Sequence, residues 1–237
     1  MNNKKADYLQ GFRAGLPIGL GYLSISFGFG ITAVSRGLEA FYAILISMTN
    51  LTSAGQVAGL GVIVAGGALL EIALTQLIIN MRYSLMGIAL SQRLAAGFGS
   101  LHRLLTSFFI TDEVFAVAML RGAPVTPSYM YGLATLPYIG WALGTTLGAF
   151  AGNILPGSLT TALGIAIYGM FIAIVVPPAK KDMGVLVAVV ISILLNCIIR
   201  YVPVFSGITP GFAIIICAVC ASLIAAWVRP IEEDYDE

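Results

Sequence analysis

Apolar runs, and the breaks between them, organise this chain. A helix crossing the hydrocarbon core of a bilayer needs about 20 largely apolar residues. Six stretches meet that requirement, at about 14–34, 59–79, 129–151, 158–176, 183–202 and 208–228. Two more, 40–52 and 104–120, are apolar but short or interrupted. Turn-forming pairs punctuate the series at Arg36-Gly37, Gly122-Ala123-Pro124, Pro156-Gly157, Pro177-Pro178 and Pro210-Gly211. The pattern predicts an all-α fold: a polytopic transmembrane helical bundle of seven or eight membrane elements. One or two of these are broken or re-entrant helices.

Composition agrees. Of 237 residues, 59% are hydrophobic and 10% charged, against about 25% charged in an ordinary soluble domain. Such a chain cannot cover its own surface with polar groups, so lipid serves as part of its solvent. The apolar runs leave no room for a separate soluble domain. The reading is one integral membrane domain over 1–237, with a polar head at 1–10 and an acidic tail at 231–237. Lys4 and Lys5 resemble the basic start of a signal peptide. The apolar stretch after Ala14 is too long and lacks a cleavage site, so it reads as the first transmembrane helix.

Positive charges suggest how the segments cross. With the N-terminus in the cytoplasm and 40–52 and 104–120 turning back halfway, Arg82, Arg93, Arg103, Arg121, Lys180, Lys181 and Arg229 fall inside. Arg36 and Arg200 alone fall outside. If both short segments cross fully, Arg82, Arg93 and Arg103 move outside, and the bias weakens unless 83–95 lies tilted or amphipathic. The C-terminus is cytoplasmic in the first arrangement.

Four polar constellations interrupt the apolar runs. In Asn50-Leu51-Thr52-Ser53-Ala54-Gly55-Gln56, Ser53 and Gln56 have the spacing of a capping box at a helix start. That start comes about a dozen residues after Glu39, too soon for a full span, which places the break within the membrane. Its free N–H groups and positive helix end suit a carboxylate. The alternative is a Ser/Thr-rich surface loop. The second constellation is Thr111-Asp112-Glu113, where a cap and two acids also favour a helix start. A carboxylate there suits a substrate ammonium group or a coupling proton, unless both acids face water at an interface. Adjacent positions differ by about 100° around a helix, so the two acids do not share one pocket.

Glu71, near the middle of the expected 59–79 span with Thr75 one turn on, is the third candidate; the rival reading is a structural hydrogen bond. The fourth is Asn80-Met81-Arg82-Tyr83. Asn80 suits a substrate or another helix, and Arg82 with Tyr83 reads as an interfacial anchor. Gly15/Gly19, Gly55/Gly59 and Gly144/Gly148/Gly152 have the spacing that lets helices approach closely.

Other classes find little support. Net charge is +1, so no basic field draws nucleic acid. Cys217 and Cys220 read as small residues on a helix face, and His102 sits in a basic loop segment without metal or nucleophile partners. No catalytic or phosphate-binding motif appears. The reading is therefore not an enzyme, with no cofactor and no metal site. A passive channel and a non-transporting anchor or regulatory subunit remain as alternatives to a transporter.

Phe12-Arg13-Ala14-Gly15-Leu16-Pro17, Ser53-Ala54-Gly55-Gln56, Asn80-Met81-Arg82-Tyr83, Thr111-Asp112-Glu113 and Trp141-x-x-Gly144 occur in the order found in AzlC-like proteins. The resemblance runs from about Phe12 to Pro178. It implies the large subunit of a branched-chain amino acid exporter in a bacterial cytoplasmic (inner) membrane. Such a protein works with a small AzlD-like membrane subunit and is driven by the proton motive force. The polar constellations themselves suggest substrate binding at Ser53, Gly55, Gln56, Asn80, Thr111 and Asp112, the carboxylate near Ser53–Gln56 and the ammonium at Asp112 or Glu113, with Glu71, Asp112 and Glu113 as proton-coupling candidates. Two departures are visible: Tyr83 stands where the family often has His, and Ala166 where it often has Asp.

Overall fold

The structure, a computed structural model, describes residues 2–151, 169, 172 and 175–228. The helices in chain order are α1 (Asn2–Ser35), α2 (Ala40–Thr49), α3 (Ser53–Val64), α4 (Leu69–Ser91), α5 (Ser100–Ser107), α6 (Asp112–Met119), α7 (Pro127–Ala151), α8 (Met183–Tyr201) and α9 (Pro210–Val228). A 3-10 turn at Pro203–Phe205 links the last two. Among the described residues the one β pairing is an isolated bridge between Leu94 and Val125. The all-α polytopic membrane bundle is therefore confirmed. Among the described residues four segments are long and apolar enough to cross a bilayer: Lys4–Ser35, α4, α8 and α9. The expected span at 158–176 lies largely outside the described residues.

Short helices appear where the apolar pattern was short. α2 and α3 are about 15 and 18 Å long, and α5 and α6 about 12 Å each, against a hydrocarbon core of about 30 Å. Both 40–52 and 104–120 are thus parts of interrupted helices, broken at 50–52 and at 108–111.

The expected 59–79 span does not form. Val64 ends α3, and Gly66 adopts φ 68°. Gly66 N–H donates to Ile63 O at 3.0 Å and Gly67 N–H to Val62 O at 2.9 Å, which is a Schellman helix stop needing glycine in the left-handed region. The same device ends α1 at Gly37, φ 93°. As a result Glu71 lies in the first turn of α4, not halfway along a span, and Arg82 lies inside α4, not at a helix end.

The polar head forms the first turns of α1, anchored by Asp7, which accepts from Arg121 at 2.8 Å and from Thr126 at 2.7 Å, and by a Tyr8–Thr135 hydroxyl pair at 3.0 Å. The "basic loop" around His102 is helical, in α5, with Nδ1 2.9 Å from the Tyr131 hydroxyl.

The contacts group the chain into two compact units, one from Met1–Val57 and Asn80–Ile167, the other from Ala58–Ile79 and Tyr168–Glu237. The first is built on a parallel pairing of α1 with α7. A Cβ added at Gly11 would meet Tyr129 O at 2.2 Å, at Gly15 Leu133 O at 2.4 Å, at Gly144 Leu23 O at 2.3 Å and at Gly148 Phe27 O at 2.1 Å. Backbone-to-backbone approach of this kind is open only to glycine, and it replaces the hydrophobic drive that lipid cannot supply. A cluster of Leu90, Phe98, Val114, Val125, Tyr129, Met130 and Leu133 packs beside it. In the second unit α9 buries Gly211, Ala213, Cys217, Ala221 and Ala225, a small-residue stripe.

Candidate functional site

The two helix breaks of the first unit meet at Tyr22 and Trp141. Leu51, in the first break, is buried with Tyr22 and Trp141, and Phe109, in the second, packs on the same cluster with Ile18, Ile25 and Tyr138. The Tyr22 and Trp141 rings stand edge to face at 5.1 Å, a favourable aromatic geometry.

On the side of the first break, Ser53 opens α3 as expected. Gln56 does not close a capping box. Its Oε1 accepts from Trp141 Nε1 at 2.8 Å, and its Nε2 donates to Ser47 Oγ at 2.8 Å. Ser47 in turn bonds the Thr145 hydroxyl at 2.7 Å. All four side chains are buried, and a buried polar atom needs a partner more than a helix end reachable by other groups does. Thr52 donates to Asn50 Oδ1 at 2.6 Å and shapes the break itself. Gly55 is buried beside Gln56.

On the other side, Thr111 caps α6, accepting from Val114 N–H at 3.3 Å. The Tyr22 hydroxyl donates to the Glu113 carboxylate and lies 2.6 Å from Thr111 Oγ1, whose own hydroxyl can donate back to it. Asp112 turns elsewhere, as the 100° offset requires: its Oδ2 lies 2.6 Å from Arg82 Nη1, with both side chains about one-third exposed. Arg82 also donates to the Tyr83 hydroxyl at 3.3 Å and lies over its ring at 5.0 Å. Arg82, read from the sequence as an interfacial anchor, is thus ion-paired within α4. Asn80 sits half-buried on the same helix, two residues before Arg82. Thr111 and Glu113 thus join Gln56 through Tyr22 and Trp141, Asp112 turns to Arg82, and Glu71 belongs to the second unit.

Sequence reasoning missed Arg82, Tyr22, Ser47 and Thr145 as members of this site. Trp141 was marked only as part of a motif. An arginine inside a helix of apolar residues was the one available signal, and the misplaced span end hid it.

Broken helices whose polar breaks converge on an aromatic cluster, with a one-third-exposed ion pair beside the second break, are the architecture of a membrane transport protein, multi-pass and helical. The chain belongs to the AzlC family: the family described as AzlC protein matches residues 17–155. The chain is similar to the inner membrane protein YgaZ of Escherichia coli (strain K12), 27% identical over 94% of this chain and 92% of that one. It is also similar to an uncharacterized membrane protein of Archaeoglobus fulgidus, 28% identical over 75% and 78% of the two chains. The branched-chain amino acid transport protein AzlC of Bacillus subtilis (strain 168) is 22% identical over 76% and 72%. No solved structure matches.

Proposed function

We propose that this chain exports branched-chain or other apolar L-amino acids across a bacterial cytoplasmic membrane. In this reading it works with a small hydrophobic AzlD-like subunit, is driven by the proton motive force and keeps both termini in the cytoplasm. The observation that carries the reading is the Arg82–Asp112 pair at 2.6 Å beside the second helix break. An α-amino acid is a zwitterion, and a partly exposed ion pair offers one partner to each of its charges. Asp112 takes the ammonium group and Arg82 the carboxylate. Gln56, with both amide atoms engaged, holds Trp141 in place instead of meeting the carboxylate directly. Ser53, Gly55, Asn80 and Thr111 supply the polar backbone and hydroxyl surface around the two breaks. The apolar side chain lies on Phe109 and Tyr138, the partly buried rings packed over Tyr22 and Trp141, a surface that favours leucine, isoleucine and valine over polar side chains.

The test is flux of labelled leucine in proteoliposomes, with and without the small subunit. The expected result is saturable flux, competed by isoleucine and valine, that falls at least tenfold in Asp112→Asn and in Arg82→Gln. Unchanged rates in both variants overturn the site; unsaturable flux would mean a channel.

A further inference from the structure

At the end of the first unit where α1 and α7 begin, the structure holds a cavity of about 570 Å³ that the amino-acid site does not use. That size falls within the roughly 300–1,000 Å³ of ligand pockets. Its walls are the start of α1 with Lys4 and Asp7, the loop at 95–97, His102 of α5, and the first turns of α7 with Ser128 and Tyr131. The loop is pinned to the segment that leads into α7. Ala95 N–H donates to Val125 O at 2.9 Å, and Val125 N–H donates to Arg93 O at 2.8 Å.

The polar groups around the cavity divide into committed and free. Asp7 accepts from Arg121 on one carboxylate oxygen and from Thr126 on the other, so its charge is met within the chain. His102 Nδ1 lies 2.9 Å from the Tyr131 hydroxyl. When that hydroxyl donates to Nδ1, Nε2 carries the ring proton and is a further donor. Among the described residues Lys4 makes no ion pair and the Ser128 hydroxyl makes no hydrogen bond. An ammonium, a hydroxyl and an imidazole nitrogen are left over, with no free acid among the lining residues. Such a set suits an anion with several acceptor oxygens and offers nothing to a cationic group.

The surroundings of α5 identify what carries the anion. Leu101, Leu104, Leu105 and Phe108 follow the i, i+3, i+4, i+7 spacing of one helix stripe, yet they are 67, 70, 48 and 39% exposed. Thr106 is buried, and His102 turns to Tyr131. A helix against water has the opposite arrangement, leucines inward and polar groups outward. Leucines turned outward on a membrane protein face acyl chains. One short helix thus lends the cavity a polar group and presents an apolar stripe to lipid.

We propose that this cavity binds the headgroup of an anionic phospholipid from the leaflet on the N-terminal side. Lys4, Ser128 and His102 meet the phosphate oxygens, and an acyl chain runs over the leucines of α5. Lys5 and Arg103, each next in sequence to a lining residue, add to the attraction for an anionic surface. A choline or ethanolamine headgroup brings a cation for which the cavity has no free acid, so the site selects a headgroup of the phosphatidylglycerol type. This inference is independent of the transport reading.

Native mass spectrometry of the full chain, released from detergent micelles doped with phosphatidylglycerol or phosphatidylcholine, tests it. The expected result is a retained phosphatidylglycerol adduct that falls about fivefold or more in Lys4→Glu and in Ser128→Ala, and about twofold in Leu104→Ser. Lys4 and Leu104 are exposed, so these variants keep the fold, which helical circular dichroism of each one checks. Lys180→Glu makes the same charge change on an exposed residue of the other unit and is expected to keep the adduct. An equal loss in Lys180→Glu means diffuse attraction to charge and overturns the site. Equal retention of phosphatidylcholine overturns the headgroup assignment. Displacement of the lipid by soluble glycerol phosphate, or an adduct indifferent to Leu104→Ser, reassigns the cavity to a free phosphate and overturns the lipid.

Discussion

Arg82 on α4 and Asp112 at the start of α6 are joined at 2.6 Å, each about one-third exposed. The pair ties a long helix to the second of two broken ones. Removing one partner leaves the other charge without its counter-ion and removes one of two groups for a zwitterion. Asp112→Asn and Arg82→Gln are each expected to lower leucine flux tenfold or more, about 1.4 kcal/mol or more in transition-state terms. Asp112→Glu keeps the charge and retains part of the flux, and KM measured for the three variants separates weakened binding from slower turnover.

Gln56 is the keystone of a buried polar chain from Trp141 to Thr145. Gln56→Ala strands the Trp141 N–H and the Ser47 hydroxyl, at about 1–3 kcal/mol for each unsatisfied group. The expected outcome is a clearly lower Tm in detergent micelles, with flux falling in parallel. Trp141→Phe removes the donor but keeps a ring against Tyr22, so its Tm falls less than that of Gln56→Ala.

Gly144 and Gly148 face carbonyl oxygens of α1 at 2.3 and 2.1 Å from where a Cβ would stand. Gly148→Val pushes the two backbones apart over several turns. Overpacking of this kind costs about 1–3 kcal/mol or more, and size-exclusion chromatography of the solubilised variant should show aggregate in place of a monodisperse peak. Gly87, which meets nothing within 4 Å, is the control: Gly87→Ala should behave as wild type.

Thr111 caps α6 and meets Tyr22. Thr111→Val loses both contacts and should lower Tm by an amount equivalent to about 0.5–2 kcal/mol, whereas Thr111→Ser keeps the oxygen and most of the stability. Thermal melts of the two variants side by side decide it.

The sequence carried the two breaks because their signals are local. Thr111 before two acids and Ser53 after Asn50 are helix starts wherever the chain goes, and the apolar runs beside them were too short to span. The stop at Gly66 was missed because Gly66-Gly67 sits inside an apolar run with no proline or polar residue to mark it, and that error displaced Glu71 and Arg82 by most of a helix half. Gln56 shows a different limit. Its spacing from Ser53 fits a cap, yet Trp141 lies 85 residues away, and no local pattern reveals that a distant buried indole N–H will claim the amide. The close approach of α1 to α7 was half legible: the glycine spacing announced a partner but not which one.

That pairing joins residues about 120 positions apart, Gly11 with Tyr129 and Gly30 with Ala149. At 5–20 residues per second, α1 leaves the ribosome about 6 to 24 s before the corresponding turns of α7 exist. For that interval its glycine face has only lipid or a chaperone against it, and every short helix between must be accommodated before the spine can close. The spine therefore closes only after α7 is made, and truncation anywhere before residue 127 leaves α1 without the helix whose glycines fit it.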